Sequence, residues 1–229
     1  MAAQPSLYLF HLRIDEPVNM LTDLIVSAVC FYALFQLRKR SFTGRTFLYL
    51  QWYFGLLGLA TLLGGLLGHG FLYAFSFAWK LPGWIVSMFS VALIERSSIE
   101  HAKSRIAPAV GNFFLVLNIL ELLTVMSVTI YTLNFGWVEF HSGYGLLAVV
   151  LPFHGYVFLK SRDQGSAMMM VGVSIASVAA VIYMNEISIS PWFNYIDISH
   201  VLMAVAVYVF YRAALKLKQP QPQVTVSLS

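Results

Sequence analysis

Residues 109–133 read AVGNFFLVLNILELLTVMSVTIYTL, an apolar run whose single charge is Glu121. At about 1.5 Å per residue, a helix of that length outruns the roughly 30 Å hydrocarbon layer of a bilayer. Runs of the same kind flank it on both sides, at about 18–37, 47–73, 83–102, 138–160, 166–185 and 192–216. The whole chain is 59% hydrophobic and 10% charged, against about 25% charged in a soluble domain. These features predict an all-α polytopic membrane protein of seven transmembrane helices, forming one domain over 18–218 with no soluble module.

Residues 1–17 read as an N-terminal extramembrane segment without the basic and apolar regions of a cleaved signal peptide. Residues 219–229, with Gln219-Pro220-Gln221-Pro222, read as a disordered tail that cannot continue a helix. The single cysteine, Cys30, excludes an internal disulfide. Gly and other small residues crowd the second and sixth runs, which predicts close backbone approach and a place inside the bundle for both.

Charge orients the spans. Arg38, Lys39, Arg40, Arg45, Lys103, Arg105, Lys160, Arg162, Arg212, Lys216 and Lys218 fall at one set of span ends, and only Arg13 and Lys80 at the other. The positive-inside rule then places the N-terminus outside and the C-terminus in the cytoplasm. Trp79, Trp84, Trp137 and Trp192 sit at the outer ends, as an interfacial belt would. The expected location is a plasma membrane or inner membrane. Basic residues confined to loops, with no aromatic-laced patch, argue against nucleic acid.

Against this apolar background Asp23, His69, Asp197 and His200 stand out. Ionisable groups in hydrocarbon are costly and mark functional sites. Counting residues from the span ends puts all four roughly 6–12 Å below the outer surface, so spans 1, 2 and 7 can share one site. Asp197 and His200 lie three apart and share a helix face. A second polar group, Glu95-Arg96 in span 3 with Asn118 and Glu121 in span 4, predicts a buried Arg96–Glu121 ion pair that sets helix register.

The segment Glu16-x-x-Asn19-x-x-Thr22-Asp23 resembles the signature that opens the first helix of alkaline ceramidases and progestin/adipoQ receptors. Gly65-x-x-x-His69 is similar to their Ser-x-x-x-His motif, and Asp197-x-x-His200 to the second half of their His-x-x-x-His. The pieces occur in the family's order, on a seven-helix chain with the matching orientation. The resemblance implies a zinc ion held by three histidines, and a metal-bound water that attacks a lipid amide. His69 and His200 match two of the ligands, while Ile196 stands at the third and Gly65 at the serine. No matching Asp follows span 2 within 71–90.

Two imidazoles with Asp197, or with Asp23, would still form an acceptable zinc set, with Asp23 and Asp197 as the candidate catalytic carboxylates. The same carboxylates could equally serve the imidazoles as hydrogen-bond partners without metal. Asn19 reads as a helix cap and Glu16 as a solvated interfacial group. Asp15 and Glu16 offer too few oxygens for calcium.

The functional expectation is a metal-dependent hydrolase of lipid amides or esters, taking its lipid substrate from the outer leaflet. The alternative is a non-catalytic receptor-like protein or small subunit with a membrane-protein partner. Haem is not expected, because His101 reads as lying in a Lys/Arg loop and His154 follows Pro152. A rhodopsin is excluded because span 7 has no lysine before Lys216. A secondary transporter is excluded because no internal repeat with paired broken helices is visible.

Overall fold

The computed structural model describes residues 4–218, so the expected disorder of 219–229 lies outside the described residues. Seven helices are long and apolar enough to cross a membrane: α1 Pro17–Arg38, α2 Arg45–Gly70, α3 Phe77–Arg105, α4 Pro108–Thr132, α5 Gly136–Ser161, α6 Gln164–Met184 and α7 Tyr195–Ala214. The chain is a multi-pass membrane protein. Short connections make successive helices antiparallel neighbours, and α7 returns to pack on α1 as well as on α6. Helix α3 touches α2, α4 and α5.

Local chemistry explains the helix starts. Pro17 and Pro108 open α1 and α4, where the missing N–H costs nothing. The Asp163 side chain accepts from Gly165 N at the start of α6. Asn194 and Asp197 form a capping box on α7, which satisfies two orphan backbone donors reciprocally. Helix α1 is capped from a distance. Gln4 Oε1 accepts from Val18 N at 2.8 Å and Asn19 N at 3.2 Å.

Two strands precede α1, a feature absent from the sequence reading. Leu7–Leu9 and Leu12–Ile14 pair antiparallel, with Leu9 opposite Leu12. Phe10 and His11 between them both have positive φ, 47° and 69°, the backbone that a two-residue hairpin turn of the right twist requires.

The main core lies between α1, α2, α6 and α7 and includes Val26, Cys30, Phe47, Phe54, Met169 and Phe210. Helices α3, α4 and α5 close a smaller one around Met88, Leu122 and Val138. The expectation that α6 is an interior helix is corrected: only 22% of its apolar window is buried, against 44% for α1 and α7. Its small residues serve one contact. A Cβ on Gly172 would lie 2.5 Å from the Phe210 ring, so glycine sets how closely α6 approaches α7. Gly172→Ala is expected to cost about 1–3 kcal/mol by overpacking, read as a lower unfolding midpoint in detergent.

Candidate functional site

The polar layer assembles at the end of the bundle that carries the hairpin. Its first half comes from α1, where Asn19, Thr22 and Asp23 are all buried. Its second half is the last part of α2, which winds as a π-helix over Gly64–Gly70; such widened turns often occur at functional sites. A Cβ on Gly65 would stand 3.0 Å from Asp23 Cβ and 3.1 Å from Met20 O. A side chain at position 65 would therefore need Asp23 and Met20 to give way by a few tenths of an ångström.

His69 Nδ1 meets Glu16 Oε2 at 2.5 Å, and Asn19 Nδ2 donates to the same oxygen at 3.2 Å. Glu16 is thus a partner of His69 rather than a solvated group, and Asn19 serves Glu16 rather than capping α1. Burial pushes the Glu16 carboxyl up, but the hydrogen bonds it accepts from His69 and the Asn19 amide bring it below the ordinary carboxylate value.

His200 Nδ1 lies 3.1 Å from Thr22 Oγ1. That hydroxyl has one hydrogen and three acceptors near it, Val18 O and Asn19 O at 3.0 Å and Asp197 Oδ1 at 3.4 Å. A hydroxyl that donates to one of these oxygens accepts from His200 in the tautomer that carries its hydrogen on Nδ1. The Glu16 carboxylate likewise takes a hydrogen from His69 Nδ1. Both Nε2 atoms then face one carboxylate: His69 Nε2 is 3.8 Å from Asp23 Oδ2, and His200 Nε2 is 3.5 Å from Asp23 Oδ1. The two imidazoles approach opposite oxygens of one carboxylate.

Asp197 is not part of that convergence. Its Oδ2 accepts from Asn194 N at 2.8 Å and from Gln4 Nε2 at 3.1 Å, so it is committed to the start of α7. Of the two carboxylates expected at the site, Asp23 is the one within 4 Å of both imidazoles. Periodicity puts Asp197 and His200 on one face, but only the cap shows that the carboxylate is already used.

Asp23, His69 and His200 border a cavity of about 500 Å³. Glu16 and Lys80 share this polar end, and Tyr53, Ile94 and Phe210 line the apolar interior. Sequence reasoning counted Lys80 only as a charge at the outer span ends, and its place on this wall is seen in the structure.

The expected Arg96–Glu121 pair is corrected. Arg96 Nη1 donates to Asn118 Oδ1 and Leu115 O, both at 3.2 Å, while Glu121 holds His141 Nδ1 at 2.8 and 2.9 Å. His141 was missed because nothing in its local sequence sets it apart from a histidine near a span end. His101 is also relocated, from a loop to the buried last turns of α3, where Nε2 meets Asp163 Oδ2 at 2.8 Å. His154 lies beside it, with ring centroids 5.6 Å apart and Nδ1 on Ser166.

Comparison with curated proteins and with solved structures gives no match. A family model does match, over residues 18–219, which takes in nearly all of the seven-helix unit. The chain belongs to that family, the family of unknown function DUF6962.

Proposed function

We propose that this protein is a membrane-embedded, metal-dependent hydrolase of lipid amides or esters, of the ceramidase type, with a two-histidine, one-carboxylate site. One observation carries this reading: the Nε2 atoms of His69 and His200 face Asp23 at the polar end of an apolar cavity. Zinc accepts such a donor set and, when bound, supplies a Lewis acid and an activated water. Glu16 and Thr22 hold the two imidazoles in the tautomer that leaves Nε2 free, as outer partners of metal-bound histidines do. Lys80 offers a positive charge to the polar part of a substrate. The apolar walls receive an acyl chain, a mostly hydrophobic pocket with few polar groups being the usual form of a ligand site.

The Lys/Arg bias supports an N-terminus outside and a cytoplasmic C-terminus. On that orientation the cavity takes lipid from the outer leaflet of a plasma or inner membrane.

A second reading, a non-catalytic receptor-like protein or small subunit, is favoured by one feature. Ile196 supplies no third imidazole, and Gly65 stands where a serine is expected, with Asp23 and Met20 close about it. The two readings part in one experiment. Purified protein is expected to hold zinc that the His69→Ala/His200→Ala double variant loses, and to release fatty acid from a ceramide in detergent micelles. Chelation should stop the release and zinc should restore it. Equal metal in the two proteins, with no hydrolysis by either, would leave the non-catalytic reading.

A further inference from the structure

Glu95 of α3, Glu121 of α4 and His141 of α5 meet inside the bundle, beside the cavity-lining Ile94, Val138 and Ser142 but not themselves on that wall. One donor atom from each lies within 4.8 Å of the others. His141 is fully buried, with Nε2 3.0 Å from Met88 O. That carbonyl has only lone pairs, so Nε2 carries a hydrogen, and Nδ1 turns to both oxygens of Glu121. A second positive centre, proton or metal, has to sit between Nδ1 and that carboxylate.

Glu95 adds an independent observation. It is fully buried, and its Oε2 accepts from Asn118 Nδ2 at 3.0 Å. Its Oε1 has no hydrogen-bond partner among the described residues. A carboxylate oxygen left unpaired away from water is costly, and a group of this kind calls for an explanation. This oxygen points at α5 one turn beyond His141, where a Cβ on Gly145 would stand only 2.5 Å from it. Helix α5 widens into a π-helix from Gly145 to Val150. Glycine leaves this side of the cluster to the carboxylate.

We propose that Glu95, Glu121 and His141 form a divalent transition-metal site separate from the one at Asp23. Two carboxylates balance a dication in a dry interior. An imidazole that binds through one nitrogen while its other N–H donates to a backbone carbonyl is the usual ligand geometry. One nitrogen and two carboxylate oxygens suit zinc, and also manganese or ferrous iron. Arg96 reaches the group through Asn118, which links α3 and α4 without Arg96 taking Glu121.

The test uses the full chain in detergent, stripped by chelator, loaded with Zn²⁺ alone, desalted and analysed for metal. The Glu95→Gln/Glu121→Gln variant is expected to hold one equivalent fewer than wild type. The His69→Ala/His200→Ala variant is expected to keep that equivalent, whatever the fate of the cavity site. X-ray absorption at the zinc edge of the latter variant should report a single imidazole among oxygen donors, a measurement that does not require the glutamine variant to fold. Equal zinc in the glutamine variant and wild type would overturn the proposal, as would a His69→Ala/His200→Ala protein that binds none. In those cases a proton on His141 occupies the place of the metal.

Discussion

Alanine at His200 is expected to lower hydrolysis of an N-acyl lipid by about 10³-fold or more. A metal-bound water and Lewis acid supply several kcal/mol of transition-state stabilisation, and each 1.36 kcal/mol is a factor of ten. His200 offers Nε2 to Asp23 at 3.5 Å and takes its orientation from Thr22 at 3.1 Å. The contrast with its neighbours makes the result diagnostic. Thr22→Val keeps the imidazole but removes the group that fixes its tautomer, and a loss of about 10–100-fold is expected, as for other outer partners of metal ligands. Asp197→Asn should act on stability through the capping box far more than on turnover, because both carboxylate oxygens face α1, Gln4 and the start of α7. Rates would be measured in mixed micelles alongside the unfolding midpoint of each variant. Full activity in His200→Ala would show that the Asp23, His69 and His200 group is not the catalytic site, and no hydrolysis by wild type would remove the hydrolase reading.

Asp163→Ala should be the most destabilising single change at the opposite end, at about 3 kcal/mol from a lost cap and stranded buried donors. Asp163 is fully buried between α5 and α6. Its Oδ1 accepts from Gly165 N at 2.8 Å, and its Oδ2 accepts from His101 Nε2 at 2.8 Å and Lys218 N at 3.4 Å. One carboxylate thus ties the α6 start, the end of α3 and the chain leaving α7. Burial pushes this carboxyl up, but the His101 hydrogen bond and charge and the two backbone N–H donors outweigh it, so it stands below its ordinary value. A depressed folded value means the stabilisation is complete above the ordinary carboxylate range, near 4, and is lost as pH falls through the folded value. Wild type should therefore lose more stability than Asp163→Ala on acidification below about pH 4. Parallel curves in urea at pH 7 and pH 3 would show that Asp163 does not contribute in this way.

The spans were legible because hydrocarbon imposes a composition, and runs such as 109–133 cannot be read otherwise. The observed helix ends differ from the expected ones by three residues at most, except that α3 begins at Phe77 rather than at 83. The polar layer was legible for the same reason: Asp23, His69 and His200 are conspicuous against an apolar background. Pairing was not. A side chain reaching across helices is chosen by packing and register, so Arg96 found Asn118 and Glu121 found His141. The hairpin escaped notice because three-residue strands carry almost no periodic signal.

By itself, then, the sequence determined that this chain has seven helices long and apolar enough to cross a membrane and that α1, α2 and α7 carry ionisable groups near one end of each. Length, hydropathy and charge bias act locally and can be read one residue at a time. Only the tertiary structure decided which groups touch. It took Asp197 for a helix cap, turned both histidines onto Asp23, brought Lys80 to the cavity and left Glu95 Oε1 without a partner. Hydrogen-bond satisfaction is settled between helices far apart in the chain, where spacing along the chain has no say.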